Sequence, residues 1–466
     1  MNNSTGILKL IDEEKQDVEF PVPTPYSVLE VLMRLAALPT ACLMLALPVF
    51  SQLLCAQEDY ENPPISYSDS EPHNKISELQ KKIDSGEVKL EYEQGFGYLP
   101  AVLKALEIPQ EAQVLVFSKT SLQLRRISPR TPRAIYFSDD MYIGFCQAGD
   151  VLEVSAVDPN LGTVFYSLDQ HAGDTMPRFQ RHVDNCVVCH SSSRTENVPG
   201  HLVRSLFVDN AGYPVLSAGS RSVNHTTPME DRWGGWYVTG QHGAHKHQGN
   251  LTVEDDFRPA EVDNTAGQNR KSLSDLFDTT PYLTPHSDIV ALMVLEHQSL
   301  VHNRITRANF TTRQALDYEV MMNKVLENDE GTRLDSTTRR ISSAGEKLLE
   351  AILLVDEAPL TGPIVGTSGY AEWFVTQGPR DSQGRSLRDL DLTRRMFRYP
   401  CSYLIYSDSF QQLPEEMQNY FWPRLRAVLK GEDTSEKFAH LSPEDRQALY
   451  EILLETVPGL KARWEG

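Results

Sequence analysis

From Asn185 to His190 the chain reads Asn-Cys-Val-Val-Cys-His, which sets Cys186, Cys189 and His190 in a C-x-x-C-H arrangement. On one helical turn, thiols at this spacing can each add to a vinyl group of a porphyrin while the adjacent imidazole meets the iron. The spacing is the signature of covalent haem c attachment, with Cys186 and Cys189 as thioether anchors and His190 as proximal iron ligand. The motif occurs once in 466 residues, which predicts one haem. Two other chemistries use paired cysteines. A zinc site would need a second pair of soft ligands, and the sequence has no other C-x-x-C. A thioredoxin-like redox pair would follow a strand inside a β-α-β pattern, and the flanks RFQRHVD and SSSRTENVPG carry none.

The sixth iron ligand decides what such a centre does. Methionine raises the potential, histidine closes the iron at lower potential, and an open position admits a small molecule. Two groups downstream of the motif offer ligands. In Asn224-His225-Thr226-Thr227-Pro228-Met229 a methionine follows a proline, and Gly240 to His247 places His242, His245 and His247 in one Gly-rich loop. A single histidine ordinarily serves as a surface or hydrogen-bonding residue, and the clustering is what raises these. His247 and His242 rank first as distal ligands, then Met229, then His225; a separate non-haem metal on His242, His245 and His247 is the weaker expectation. His297 and His302 lie on an apolar helical face with Ile289, Leu292 and Met293, where a lone histidine is usually a satisfied core residue, so they rank second for haem contact. Met293, Met321, Met322, Trp233 and Trp236 read as packing. Arg178, Arg181 and Arg194 flank the motif as partners for haem propionates. Cys146 and Cys401 read either as a disulfide or as two buried thiols.

The surrounding pattern predicts an α+β fold: a small antiparallel sheet in the N-terminal half, an irregular haem-binding segment and a mainly α-helical C-terminal third. Short helices are expected over 74–86 and 98–106. β-branched and aromatic runs at 114–119, 134–139, 141–147, 151–158 and 163–170, parted by Gly, Asp, Asn and Pro, read as strands joined by hairpins. Weaker strand candidates are 202–208 and 235–240. Helical periodicity then returns in DIVALMVLEHQSLVHNRI, RQALDYEVMMNKVL, SAGEKLLEAILLV, RLRAVLKG and RQALYEILLETV. The organisation read from this is an N-terminal extension with a signal peptide (1–56), an exposed linker (57–73), an α+β domain (74–172), the haem-binding segment (173–270) and a helical domain (271–466).

The export reading rests on the stretch from Leu35 to Cys55, which holds no charge, with Arg34 before it and the small Ala56 after it. Residues 1–32 carry six acids and two lysines, an acidic balance foreign to a signal, and Met33 is a candidate start. Retention of the stretch as an anchor is the alternative, since about 20 apolar residues span a bilayer. Lipid modification on Cys55 is disfavoured by the bulk of Leu54. Haem c is attached outside the cytoplasm, so motif and signal support one another and point to the periplasm. Forty-four basic against 64 acidic side chains give a net charge of −20, which excludes a nucleic-acid role and favours a basic redox partner.

The segments SPRTPRAIYFSDDMYIGF, DPNLGTVFYSLDQ, CVVCHSSSRTENVPGHLVRSLFVD, EDRWGGWYVTGQHG and RSLRDLDLTRRMFRYPCSYLIYS resemble large exported bacterial mono-haem proteins labelled as cytochrome c domain-containing, frequent in planctomycetes. The resemblance covers most of 110–460 and implies a periplasmic haem c protein without supplying a reaction. Where those relatives carry His-Met in an HGxxxHMGN-like loop, this chain has His247-Gln248. The leading expectation is electron transfer. Its rival, argued from a size far beyond the about 100 residues that electron transfer needs, is a peroxidase-like or other small-molecule oxidoreductase with an open or weakly ligated distal iron.

Overall fold

The computed structural model describes residues 59–465, apart from 174–175, 255–256 and 259–261. The expected export segment, with Cys42 and Cys55, lies outside them. Among the described residues no helix is long and apolar enough to cross a membrane.

The sheet is an antiparallel meander of six strands in chain order: β1 Val114–Val116, β2 Arg133–Phe137, β3 Met141–Phe145, β4 Val151–Asp158, β5 Gly162–Asp169 and β6 Phe179–His182. β1, β3 and β4 fall within runs read as strands, and β2 and β5 each begin one residue before theirs. β6 was not foreseen, because Phe-Gln-Arg-His at a sheet edge lacks an apolar alternation. Period-two geometry gives the sheet two different faces. One carries Ile143, Val154, Tyr166, Leu152, Leu168 and Phe179, all in one apolar cluster with Ile76, Leu79 and Ile83 of α1 (Lys75–Asp84) and Leu99, Val102 and Leu103 of α2 (Leu99–Ala105). Asn74 caps α1, its side chain accepting from the Ile76 and Ser77 N–H groups. The other face has a row running straight across five strands: Phe137, Tyr142, Ser155, Phe165 and His182. That row is aromatic and polar, and its Phe165 lies 4.9 Å from the His190 ring of the C-x-x-C-H turn.

Residues 59–73 are not an exposed linker. Tyr60, Ile65 and Tyr67 are buried in the apolar cluster, and Arg181 donates to the Tyr67 and Ser70 carbonyls. Three large side chains outweigh the Pro, Ser and acidic composition that suggested a linker.

After β6 come α3 (Val187–His190), a two-stranded ribbon of β7 (Arg204–Ser205) and β8 (Arg221–Ser222), and a long irregular stretch. The helical part begins with α4, Ile289–Val325, a single 37-residue helix that fuses two expected helices. Asp288 caps it, accepting from Val290 and Ala291 N–H. Residues 289–299 of α4 are buried on every side, the mark of a helix enclosed by its own protein. It contacts β5 and carries α5 (Asp335–Ile352) along its flank. The remaining helices are α6 (Tyr370–Val375), α7 (Asp408–Gln411), α8 (Glu415–Leu429), α9 (Pro443–Thr456) and α10 (Leu460–Glu465). The fold is α+β, as expected, and all these elements belong to one compact unit, Asp59–Gly466.

Candidate haem site

Cys186 and Cys189 stand on the turn that starts α3, where the Cys189 and His190 N–H groups both donate to the Cys186 carbonyl, at 3.2 and 3.0 Å. Both thiols are free. Val187 turns inward while Val188 and Cys189 face outward. The turn follows β6 of an antiparallel meander, and no β-α-β unit surrounds it. Burial, then the Glu153 carboxylate, push the Cys186 thiol up to about 11, the opposite of the lowered value that a redox-active C-x-x-C uses.

His190 is oriented by two neighbours. Its Nδ1 lies 3.0 Å from the Gly200 carbonyl oxygen, which can only accept, so Nδ1 carries the proton and Nε2 keeps its lone pair. The Gly200 N–H returns a bond to the His190 carbonyl at 2.8 Å, and the ring sits 4.9 Å from Phe165 of the sheet row. Burial holds this imidazole below its ordinary value, favouring the neutral ring that a metal needs.

Gly200 is itself fixed from α4. Asn303 accepts from the His201 N–H at 3.0 Å and donates to its carbonyl at 2.8 Å, and a Cβ on Gly200 would lie 2.1 Å from the Asn303 Oδ1. His201 is buried against the sheet: Nε2 pairs with Ser155 Oγ at 2.9 Å, Nδ1 with Thr163 Oγ1 at 3.3 Å, and its ring lies 3.8 Å from Tyr142. The sequence reading missed His201, Gly200 and Asn303. Nothing in their local pattern sets them apart, because the roles arise only where α4 meets the sheet.

Beneath Cys186, Gly144 leaves room on β3 for the Arg133 side chain, which pairs with Glu153 at 2.8 Å. Of the arginines expected at propionates, Arg181 points through the opposite face of the sheet to Tyr67, and Arg178 pairs with Asp84 at 3.2 Å. Arg194 stays on the motif side and donates to Ser220.

The distal candidates lie elsewhere. His242 Nε2 accepts from the Asn269 N–H at 2.9 Å, His245 Nε2 from Thr361 at 3.2 Å, and His247 Nδ1 from Gly249 at 3.0 Å. A neutral imidazole that accepts at one nitrogen is protonated at the other, so each ring has spent its lone pair on the backbone. His242 and His247 touch each other, with ring centroids 4.8 Å apart, and Trp233 lies 5.5 Å from His247. Among the described residues they share no ring contact or hydrogen bond with His190, and no group of three or more His, Cys, Asp or Glu could hold a metal. The loop that looked like a ligand cluster is a set of hydrogen-bond acceptors. Met229 is buried in the core with Trp233 and Trp236. His225 Nδ1 meets His297 Nδ1 at 3.1 Å, and His297 Nε2 meets Ser402 Oγ at 2.9 Å. His302 Nε2 donates to the Asp139 carbonyl at 2.6 Å. Beside this group Arg232 pairs with Glu296, both buried, and Arg232 also donates to the Thr227 carbonyl at 2.7 Å. Cys146 and Cys401 are separate buried free thiols.

The donor set at the motif fits haem c: two free thiols on one turn, an imidazole whose Nε2 holds its lone pair, and outward apolar surface at Val188. The chain matches no family model, no curated protein and no solved structure.

Proposed function

We propose that this protein is an exported, periplasmic c-type cytochrome of the large mono-haem, cytochrome c domain-containing kind, and that it transfers electrons to or from a redox protein. The observation that carries the reading is the His190–Gly200 bond beside two free thiols on the same turn. When bound, the haem supplies a one-electron couple. The chain supplies the rest. Cys186 and Cys189 form the thioether links, His190 binds iron through Nε2, and the Gly200 carbonyl fixes the ring's tautomer and angle, as outer-shell acceptors do for metal-bound histidines. Phe165 backs the ring, and Asn303 holds the loop on which Gly200 sits.

A second reading, a small-molecule oxidoreductase with an open distal iron, is favoured by one observation: His242, His247 and Met229 are all held in other contacts.

Mass and visible spectrum of the protein secreted from a haem c-assembling host test both readings. Covalent haem is expected in the native chain and lost when Cys186 and Cys189 are both replaced by alanine; a native chain without haem sinks the proposal. A six-coordinate ferrous form indifferent to carbon monoxide supports electron transfer. A form that binds carbon monoxide and cyanide supports the enzyme.

A further inference from the structure

The surface beside Cys189 differs in charge from the chain as a whole. Arg194, exposed just after the motif, and Arg204 on β7 both donate to Ser220 Oγ, at 3.0 and 2.9 Å, so their guanidinium groups are held side by side through one hydroxyl. Among the described residues neither has a carboxylate partner. Arg204 Nε is buried without any partner, and burial, then Arg194, lower this guanidinium from its ordinary value. Arg221 on β8 stands opposite Ser205 rather than Arg204 and is matched by Asp231 at 3.1 Å, so the unmatched pair is Arg194 and Arg204 alone. Glu196, the acid nearest to Arg194 in the chain, is turned away to Arg304 at 2.9 Å. On the other side of the motif the charges are closed or acidic, with Arg133 paired to Glu153 and Asp184 beside Cys186. Two large apolar side chains are exposed on the segments that carry this pair, Val188 at 78% exposure inside the motif that precedes Arg194 and Leu216 at 80% on the loop that leads to Ser220.

We propose that the face formed by Arg194, Arg204, Val188 and Leu216 is the docking surface for an acidic electron-carrier protein. The inference rests on the haem reading, since Cys189 marks the thioether edge through which a docked carrier would exchange electrons. Arginine with exposed apolar side chains is the composition of an interface centre, and unmatched guanidinium groups await carboxylates. The net charge of −20 sharpens the selection, because an acidic partner is repelled from most of the surface and admitted where the field reverses. This local field overrides the basic partner that overall charge suggests.

The test uses the full haem-loaded chain, whose spectrum is recorded first; a preparation without covalent haem overturns the haem reading and the docking site together. The ferrous protein is then oxidised in stopped flow by a small copper protein with an acidic surface, at rising ionic strength, with a lysine-rich cytochrome c as control. The expected rate with the acidic carrier falls as salt rises, and Arg194→Gln with Arg204→Gln lowers it about tenfold at low salt while the control rate is unchanged. Arg194→Gln alone, at an exposed position, is expected to give part of the effect. A rate that rises with salt, or that ignores both substitutions, overturns the docking site and leaves the haem reading standing. A shifted reduction potential with an unchanged rate would assign these arginines to the haem propionates and overturn it as well.

Discussion

At His190 the ring faces a carbonyl, whereas in the 242–247 loop every histidine ring faces a backbone N–H. The same side chain is thereby set up for opposite tasks. A carbonyl forces the proton onto the near nitrogen and leaves the far lone pair for a metal; an N–H consumes the near lone pair and protonates the far nitrogen. Clustering in sequence drew attention to the loop, but its rings use their lone pairs on the backbone, whereas His190, like His302 on the Asp139 carbonyl, keeps one free; what sets His190 apart from His302 is its place beside Cys186 and Cys189. The loop's acceptors tie residues 242–247 to Gly249, Asn269 and Thr361, and His225 and His297 tie the neighbouring core to Ser402. The motif region is therefore expected to govern haem chemistry and the buried histidine region stability.

The sharpest way to break this division is to open the buried region. Arg232→Ala leaves Glu296 uncompensated inside the core, and removing one partner of a buried pair costs about 3–5 kcal/mol. Chemical denaturation should show that loss while the haem spectrum of the folded fraction stays native. A changed spectrum would mean that the two regions are coupled and the division is wrong.

Acid should act on the same region next. Burial first, then Arg232 for His225 and His242 for His247, holds these two imidazoles at about 3, far below their ordinary 6.5. The unfolded chain takes up those protons as pH falls below 6.5, while the folded chain waits until about 3. Their contribution is therefore complete above 6.5 and drains away between 6.5 and 3. Glu296 runs the other way: burial raises it to about 7, against the pull of Arg232, so its contribution is full below 4.5 and is lost as pH rises through 7. Between 4.5 and 6.5 His225 and His247, together with His201 and His297, which burial also holds well below 6.5, outnumber Glu296 and Glu357, both raised to about 7 by burial, and the melting temperature should fall on acidification. His225→Asn should flatten that slope. A melting temperature indifferent to pH from 7 to 4 would contradict burial of neutral imidazoles.

On the motif side, Gly200→Ala sharpens the comparison from the opposite direction. Its Cβ would meet Asn303, and relieving such a clash costs about 1–3 kcal/mol. The diagnostic signal is spectroscopic, because a displaced Gly200 carbonyl frees the His190 ring and should alter the ferric spin state. Asn303→Ala, which removes the clamp without a clash, should shift the spectrum in the same sense. A native spectrum in both would remove Gly200 and Asn303 from the positioning role.

The turn carrying Cys186, Cys189 and His190 was legible because C-x-x-C-H encodes its geometry within one turn. β1 to β5 were legible from alternation and turn residues, and the enclosed half of α4 from continuous apolar helical spacing. Ring polarity was hidden, since a histidine's tautomer is set by partners as remote as Thr361 for His245 and Ser402 for His297. Gly200 and Asn303 were hidden for the same reason: they meet only when α4 is laid against the sheet. The segment 59–73 misled through composition, which averages over the three buried side chains that hold it down.

The smallest effect is expected at His245, and it tests the comparison where the sequence pointed hardest. Its Nε2 accepts one bond from the Thr361 N–H at 3.2 Å near the surface, and a bond of that kind contributes about 0.5–1.5 kcal/mol. His245→Ala should therefore lower stability by no more than that and leave the haem spectrum unchanged. His242→Gln, whose side-chain oxygen can still accept from Asn269, should be equally silent in the spectrum. If either substitution converts a six-coordinate iron to a five-coordinate one, the loop supplies the distal ligand after all. The carbonyl-facing ring would then no longer be the rule that distinguishes the two regions.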